Sequence, residues 1–350
     1  MSEGEAAEGK PAGSSGEEVC LITGGSGFIG GCLAERLVGE GYEVRCLVRA
    51  GSDTSRLEKL GVETFLGDLT KADSLLGAVE GAKHVFHCGA LVSDWATIRE
   101  IRAVNVEGTR NLLEAAVAAG VKRFIHLSTT DVYGYPEGAA VEESYTPRRF
   151  RNWYAQTKLE AEGEVRRVAE TTGLETVILR PATVYGPGSK EVIREIARAI
   201  DGGRMLLIDG GRPVAGLCYV ENLLDAALLA LDHEAAVGQA FNVTDGLSTT
   251  WRQLTDGLAD GLGCSRVRWS LPYWLASAIG FSLEHAYRLL RGLTGLSLPP
   301  LLSRQAVQVL GKSQDFSNGK LRETLGWTPR VGYAAGLEAT VAWLKTEGRG

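Results

Sequence analysis

Apolar positions in this chain fall into short β-prone runs separated by stretches with a repeat near 3.6 residues. Val19-Cys20-Leu21-Ile22-Thr23 predicts a strand, and residues 28–38, with Ile29, Leu33 and Leu37 on one face, predict the helix that follows. Further strands are predicted at 43–49, 62–66, 85–87, 124–127 and 176–179, each separated from the next by helical or turn-rich sequence. This alternation predicts an α/β fold with a parallel, doubly wound Rossmann-type sheet up to about residue 181. Beyond that point the rhythm is less regular. Residues 1–16, rich in Gly, Ser, Ala and Glu without apolar periodicity, read as a disordered leader.

The turn between the first strand and helix carries Gly24-Gly25-Ser26-Gly27-Phe28-Ile29-Gly30. Gly25-x-Gly27-x-x-Gly30 fits the dinucleotide fingerprint, whose glycines allow a tight turn, close approach of a pyrophosphate and close helix packing. A helix N-terminus placed there presents unpaired N–H groups to phosphate. The second strand ends about 20 residues later, where an acidic residue would take the ribose 2′-OH of NAD. Val48 and Arg49 occupy that place, and an arginine suits a 2′-phosphate, so NADP(H) is favoured and NAD(H) remains compatible. Asp53 and Arg56 lie close enough in sequence to modify that preference.

Far downstream, Tyr154 and Lys158 stand at i and i+4 in a helix-compatible segment, so they share a face. A phenol with an ordinary pKa of about 10 is a weak base at neutral pH, and a neighbouring ammonium favours its ionised form. Together with the glycine turn, the pair points to nicotinamide oxidoreduction.

These residues resemble the extended short-chain dehydrogenase/reductases, the NAD-dependent epimerase/dehydratase superfamily, over the chain from about Val19 onward. Thr23 to Gly30 is similar to that family's Thr-Gly-x-x-Gly-x-x-Gly signature. Residues 216–223 and 240–244 resemble its return into the cofactor domain, which implies a sheet domain of 17–181 plus about 213–246 and a smaller discontinuous substrate lobe of about 182–212 and 247–350. The resemblance implies cofactor contacts from Gly24, Gly27, Phe28, Ile29 and Gly30, and from Asp68 and Leu69 near the adenine. It implies further contacts from Cys88, Gly89 and Ala90 under the cofactor, from Asn105 at the start of an Asn-Val-x-Gly-Thr helix, and from Tyr154, Lys158, Pro181 and Val184 near the nicotinamide. It also implies a hydroxyl that binds the substrate oxygen. Leu127-Ser128-Thr129-Thr130-Asp131-Val132-Tyr133-Gly134 places Thr129 there, with Ser128 as the second choice and strand-end capping as the ordinary alternative.

Composition narrows the function classes. A net charge of −6 gives no basic field for nucleic acid, and 44% hydrophobic residues over 350 positions support a sizeable core. The six cysteines, at 20, 32, 46, 88, 218 and 264, have no metal spacing and read as reduced thiols. With no apolar signal segment, the chain is expected in the cytoplasm, with no metal site. His84, His87, His126, His233 and His285 are too dispersed to suggest a cluster and read as packing or surface residues.

Residues 271–302 carry a broad apolar face (Trp274, Leu275, Ile279, Phe281, Leu283, Tyr287, Leu289, Leu290, Leu293) and a narrower polar stripe of Ser277, Glu284, Arg288 and Arg291. Its charges argue against a membrane span. A buried lid helix, the wall of an apolar pocket and an interfacial helix touching a membrane are all compatible with it. Residues 90–95, 271–275, 299–303, 325–329 and 343–344 resemble the 3β-hydroxysteroid and sterol-4α-carboxylate 3-dehydrogenase subgroup, which includes bacterial β-keto acid reductases.

The resulting expectation is an NAD(P)-dependent enzyme that interconverts a secondary alcohol and a ketone on a hydrophobic small molecule. Tyr154 acts as acid/base, Lys158 lowers its pKa, and Thr129 binds the substrate oxygen. A homodimer through residues 105–119 and 153–171 is implied by family analogy. The alternatives are a nucleotide-sugar epimerase or dehydratase and a non-catalytic dinucleotide-binding scaffold. The dehydratase resemblance lacks the first of two adjacent acids, because Thr130 stands there and only Asp131 remains.

Overall fold

A computed structural model describes residues 18–93, 96–136, 140–146, 152–294 and 304–347. The expected leader and residues 299–303 lie outside the described residues.

The strands are β1 (Val19–Thr23), β2 (Glu43–Val48), β3 (Glu63–Leu66), β4 (His84–His87), β5 (Arg123–Leu127), β6 (Glu175–Pro181), β7 (Thr183–Tyr185), β8 (Leu207–Ile208), β9 (Leu217–Tyr219), β10 (Ala240–Val243) and β11 (Ser270–Leu271). Seven form one parallel sheet in the order β10-β6-β5-β4-β1-β2-β3. The chain builds outward from β1 in one direction and resumes at β4 in the other. The crevice beyond the carboxyl ends of β1 and β4 is therefore a topological switch point, where open α/β sheets bind ligands.

Strand side chains alternate between two cores, as a period of two requires. Cys20, Ile22, Phe86, Ile125, Val177 and Leu179 face the helices Phe28–Gly39 and Val220–Asp232 on one side. Leu21, Val85, Phe124 and Ile178 face the helices Gly108–Ala118 and Trp153–Thr172 on the other. Both faces are covered, which explains why these strands read as continuous apolar runs.

A third core joins β7 and β9 to the helices Trp251–Leu262 and Tyr333–Glu347 through Tyr185, Leu217, Tyr219, Trp251, Leu254 and Leu344. The structure departs from the expected division at one segment. Phe316, Leu321, Leu325 and Trp327, expected in the smaller lobe, are buried in the core of the large sheet, with Trp327 donating its indole N–H to the Asn222 carbonyl at 3.1 Å.

Residues 271–302 form the helix Tyr273–Thr294 within the described span. Ala276 and Tyr287 are buried, whereas Trp274 is 70% exposed and Phe281 50%. The helix is thus half docked, and the reading of a simple buried lid does not hold for its outer face. Among the described residues, no helix is long and apolar enough to cross a membrane.

Candidate active site

The glycine turn follows directly from β1, and its shape is set by steric fit. Gly24 has φ +73°, and a Cβ there would stand 2.9 Å from the Gly89 nitrogen. A Cβ at Gly30 would collide with the Gly24 carbonyl, and one at Gly25 would stand 2.5 Å from Cys46 Sγ. Gly27 caps the helix Phe28–Gly39 without a side chain, leaving the helix N-terminus open to an anion. Phe28 and Ile29 are half-buried, and Phe28 lies where a Cβ on Gly188 would meet it at 3.2 Å, so the loop after β7 folds over the turn. This bare backbone cradle at the switch point fits a dinucleotide pyrophosphate.

The flanking residues lie at or just past the carboxyl ends of β2, β3 and β6. Asp68 accepts from Thr70 N at 2.9 Å and Thr70 Oγ1 at 2.8 Å, and these bonds, with Arg49 nearby, hold its carboxyl below the usual range. Leu69 is buried and its carbonyl accepts from Asn111 at 2.8 Å. Arg49 is exposed just past β2. Its neighbours Asp53 and Arg56 are engaged elsewhere, Asp53 with Ser55 and Arg56 with Glu35 at 2.6 Å. Pro181 ends β6, and Val184, in β7, packs half-buried on the sheet core.

The loop carrying Cys88, Gly89 and Ala90 is held by an oriented hydrogen-bond chain. Thr109 Oγ1 donates to the Asn105 carbonyl at 2.6 Å and so accepts from His87 Nε2 at 2.9 Å. Burial, helped by the Lys158 charge, pushes the His87 pKa down to about 3, so the imidazole is neutral. Its Nδ1 then accepts from Thr23 Oγ1 at 2.7 Å, which in turn accepts from Gly89 N at 3.1 Å.

Asn105 departs from its expected role. Its amide accepts from Leu91 N at 2.7 Å and donates to the Leu91 carbonyl at 3.1 Å and to Thr157 Oγ1 at 3.2 Å. Buried with those partners, it ties the cofactor loop to the helix Trp153–Thr172 rather than presenting its amide to a ligand.

That helix begins at Asn152, whose Oδ1 accepts from Tyr154 N at 2.7 Å and Ala155 N at 3.3 Å. Tyr154 is half-buried on its first turn and Lys158 fully buried one turn on. The two candidate hydroxyls before them are not equivalent. Ser128 is buried and donates to Glu162 Oε1 at 2.6 Å, whereas Thr129 is half-buried and its Oγ1 accepts from Asp131 N at 3.2 Å. A hydroxyl that accepts from an amide keeps its own proton for another oxygen. Thr129 is the residue with a free donor.

The expected depression of the Tyr154 pKa by Lys158 is not what this arrangement produces. Burial, and then the charge of Asp131, raise the phenol above its ordinary value. The Lys158 ammonium donates to the Leu127 carbonyl at 2.5 Å and lies 3.3 Å from His126 Nε2, and among the described residues no hydrogen bond joins it to Tyr154. A desolvated ammonium takes the nearest acceptors, here at the carboxyl end of β5. Burial pulls its pKa down to about 8, against the opposing influence of Glu162 and Cys88.

His87, His126 and Asp131 are the residues that pattern alone assigned no part. His87 and His126 are direct partners in the β4–β5 register, with ring centroids 5.2 Å apart. The signal was present: each imidazole stands at or next to the last residue of an apolar strand leading into a site loop. Asp131 accepts from the Tyr135 hydroxyl at 3.0 Å, and Tyr135 has φ +58°, uncommon for a residue with a side chain. No group of His, Cys, Asp and Glu able to hold a metal occurs among the described residues.

A phosphate-ready glycine turn, a hydroxyl donor and a Tyr-Lys pair at the switch point of a doubly wound sheet define a nicotinamide-dependent oxidoreductase. The chain belongs to the NAD dependent epimerase/dehydratase family, whose model matches residues 20–244. It is 32% identical, over 91% of this chain and 94% of the relative, to a 4-hydroxy-2-methyl-3-oxo-4-farnesyl-3,4-dihydroquinoline-1-oxide ketoreductase of Stigmatella aurantiaca. It is also 32% identical to a 2-alkyl-3-oxoalkanoate reductase of Stenotrophomonas maltophilia, over 91% of this chain and 96% of the relative. The dTDP-glucose 4,6-dehydratase DesIV of Streptomyces venezuelae, solved with NAD bound, superimposes with a TM-score of 0.77 at 26% identity, covering 94% of this chain and 97% of that one.

Proposed function

We propose that this protein interconverts a secondary alcohol and a ketone on a hydrophobic substrate of the β-keto acid or hydroxysteroid type. Thr129 donates a hydrogen bond to the substrate oxygen, Tyr154 passes the proton to or from that oxygen, and Lys158 supplies the positive charge beside it. Nicotinamide, when bound, supplies or takes the hydride. The observation that carries this reading is the division of labour between Ser128, committed to Glu162, and Thr129, whose hydroxyl accepts from Asp131 N and keeps its proton for another oxygen. The raised Tyr154 pKa suits proton donation, and hence ketone reduction at neutral pH.

NADP(H) is the favoured cofactor in this reading, supported by the exposed Arg49 just past β2, where an arginine suits a 2′-phosphate and NAD would call for an acid. The relatives that reduce a farnesylated quinoline oxide or an alkyl-oxoalkanoate support a lipophilic substrate by their names. The helix Tyr273–Thr294, with Trp274 and Phe281 exposed, is the segment we assign to contact with such a substrate. A dehydratase reading asks for two adjacent acids, and Thr130, buried at 1% exposure, replaces the first.

Cytoplasmic location, a homodimer through the helices Gly108–Ala118 and Trp153–Thr172, and membrane contact through 271–302 belong to the same proposal. Sedimentation and vesicle flotation read the last two. The functional test follows NADPH and NADH consumption with 2-alkyl-3-oxo acids, 3-oxosteroids and dTDP-sugars, with Thr129→Val and Ser128→Ala beside the wild type. Ketone-dependent oxidation of NADPH that falls further in Thr129→Val than in Ser128→Ala is expected. Sugar conversion without net cofactor change would overturn the proposal.

A further inference from the structure

Lys158 is a buried cation without a carboxylate of its own. Glu162, one turn further along the same helix, is committed to Arg180 at 2.6 and 2.8 Å, to Arg166 at 2.9 Å and to the Ser128 hydroxyl at 2.6 Å. The titratable groups around the ammonium are otherwise His87 and Cys88 from β4 and its end, and His126 from β5. Arg180 of β6 adds a second cation beyond Glu162. What receives the ammonium is a pair of neutral acceptors on adjacent residues, His126 Nε2 at 3.3 Å and the Leu127 carbonyl at 2.5 Å.

An ammonium has donors only, so the His126 Nε2 facing it must carry the lone pair and the proton must sit on Nδ1. That Nδ1 is buried and has no partner among the described residues. Leaving a buried donor unsatisfied is costly, and a histidine that served packing alone could as well be a phenylalanine. The position therefore holds its imidazole for the side that faces Lys158. His87, a neutral ring bonded to Thr23 and Thr109, lies 5.2 Å away and brings no competing charge.

We propose that His126 is a positioning residue of the reaction: its Nε2 lone pair, with the Leu127 carbonyl, holds the Lys158 ammonium charged and aimed beneath the nicotinamide site. With two N–H groups so engaged, the third is left for one acceptor at the nicotinamide site. The proposal rests on the functional reading of Tyr154 and Lys158 but makes a claim of its own, that a neutral acceptor in direct contact adds to the more distant influence of Glu162 in keeping Lys158 charged. Removing that acceptor disfavours the ammonium, so its proton is lost at lower pH.

The first test uses the wild-type protein. In ¹H–¹⁵N spectra of histidine-labelled protein, His126, assigned by its absence from His126→Gln, is expected as the Nδ1–H tautomer with an unprotonated Nε2. A protonated Nε2 overturns the proposal. The second test is NADPH binding followed by its fluorescence across pH, which needs no substrate and so stays readable if the functional reading fails. In His126→Phe the alkaline loss of NADPH affinity is expected about one pH unit lower than in the wild type, and His126→Gln, which keeps an acceptor, restores most of it. Where a ketone substrate is turned over, kcat follows the same shift with KM changed less than about twofold. Coincident pH profiles for wild type and His126→Phe, or an equal shift in Phe and Gln variants, would overturn it.

Discussion

Two buried polar clusters lie one helical turn apart on the helix Trp153–Thr172, and they are built in opposite ways. Around Glu162 every charge is answered. Arg180 grips the carboxylate in a fork, Ser128 and Arg166 add to it, and Arg180 reaches on to the Tyr133 hydroxyl at 2.7 Å, which donates to Asn242 at 2.7 Å. Burial works against ionisation of Glu162, but those hydrogen bonds prevail and its pKa is lowered. Around Lys158 the cation has only neutral acceptors, its pKa is pulled down, and a neighbouring imidazole N–H is unsatisfied. The satisfied cluster ties β6 and the loop after β5 to the helix. The other leaves the His126 Nδ1 without a partner among the described residues, a cost of the kind met at functional sites.

The largest effect should fall on the group that moves the proton. Tyr154→Phe is expected to lower kcat by about 10²- to 10⁴-fold in a steady-state assay while leaving the urea midpoint unchanged, since its hydroxyl serves no structural bond among the described residues. Glu162→Ala should instead destabilise the fold by about 3–5 kcal/mol in urea titration, because it strands Arg180, 5% exposed, without its partner.

Lys158→Met sharpens the contrast by acting in the other direction. Lys158 titrates near 8 in the folded protein against an ordinary 10.5. The unfolded chain therefore binds more protons between those values, so stability rises with pH across that window and the penalty is fully present below it. Replacing the lysine should raise stability at pH 7 by about 2 kcal/mol, after allowing for its lost hydrogen bonds, and the pH-dependent gain above pH 8 should vanish. A variant that is more stable and inactive would mark the site as strained for function. The smallest effect is expected from Asp131→Asn. With that charge gone the Tyr154 pKa falls, and the alkaline limb of ketone reduction should move to lower pH with the fold intact.

The same contrast explains what could be read from pattern alone. Gly24, Gly30, Asp68, Tyr154 and Lys158 were legible because backbone sterics and i, i+4 spacing are local, and a sequence displays local constraints directly. The seven sheet strands followed from short continuous apolar runs, since both faces are buried. His87 and His126 were not legible, because their significance lies in a register between strands 39 residues apart in sequence and in hydrogen bonds to Thr23, Thr109 and Lys158. Asn105 was placed at the site by its motif, yet its work is to clamp Leu91 to Thr157, which only packing shows. The placement of Phe316 to Trp327 in the sheet core was hidden for the same reason, as it is a long-range return of the chain.

The central claim is hydride transfer between nicotinamide and a lipophilic carbonyl with Tyr154 as the proton donor. Its most direct test is incubation of the protein with NADPH deuterated at C4 and a 2-alkyl-3-oxo acid or 3-oxosteroid, followed by mass spectrometry of the product. The account predicts one deuterium at the new carbinol carbon, one NADPH consumed per alcohol formed, and loss of both in Tyr154→Phe. Product formed without cofactor oxidation, or with equal rate in Tyr154→Phe, would contradict it.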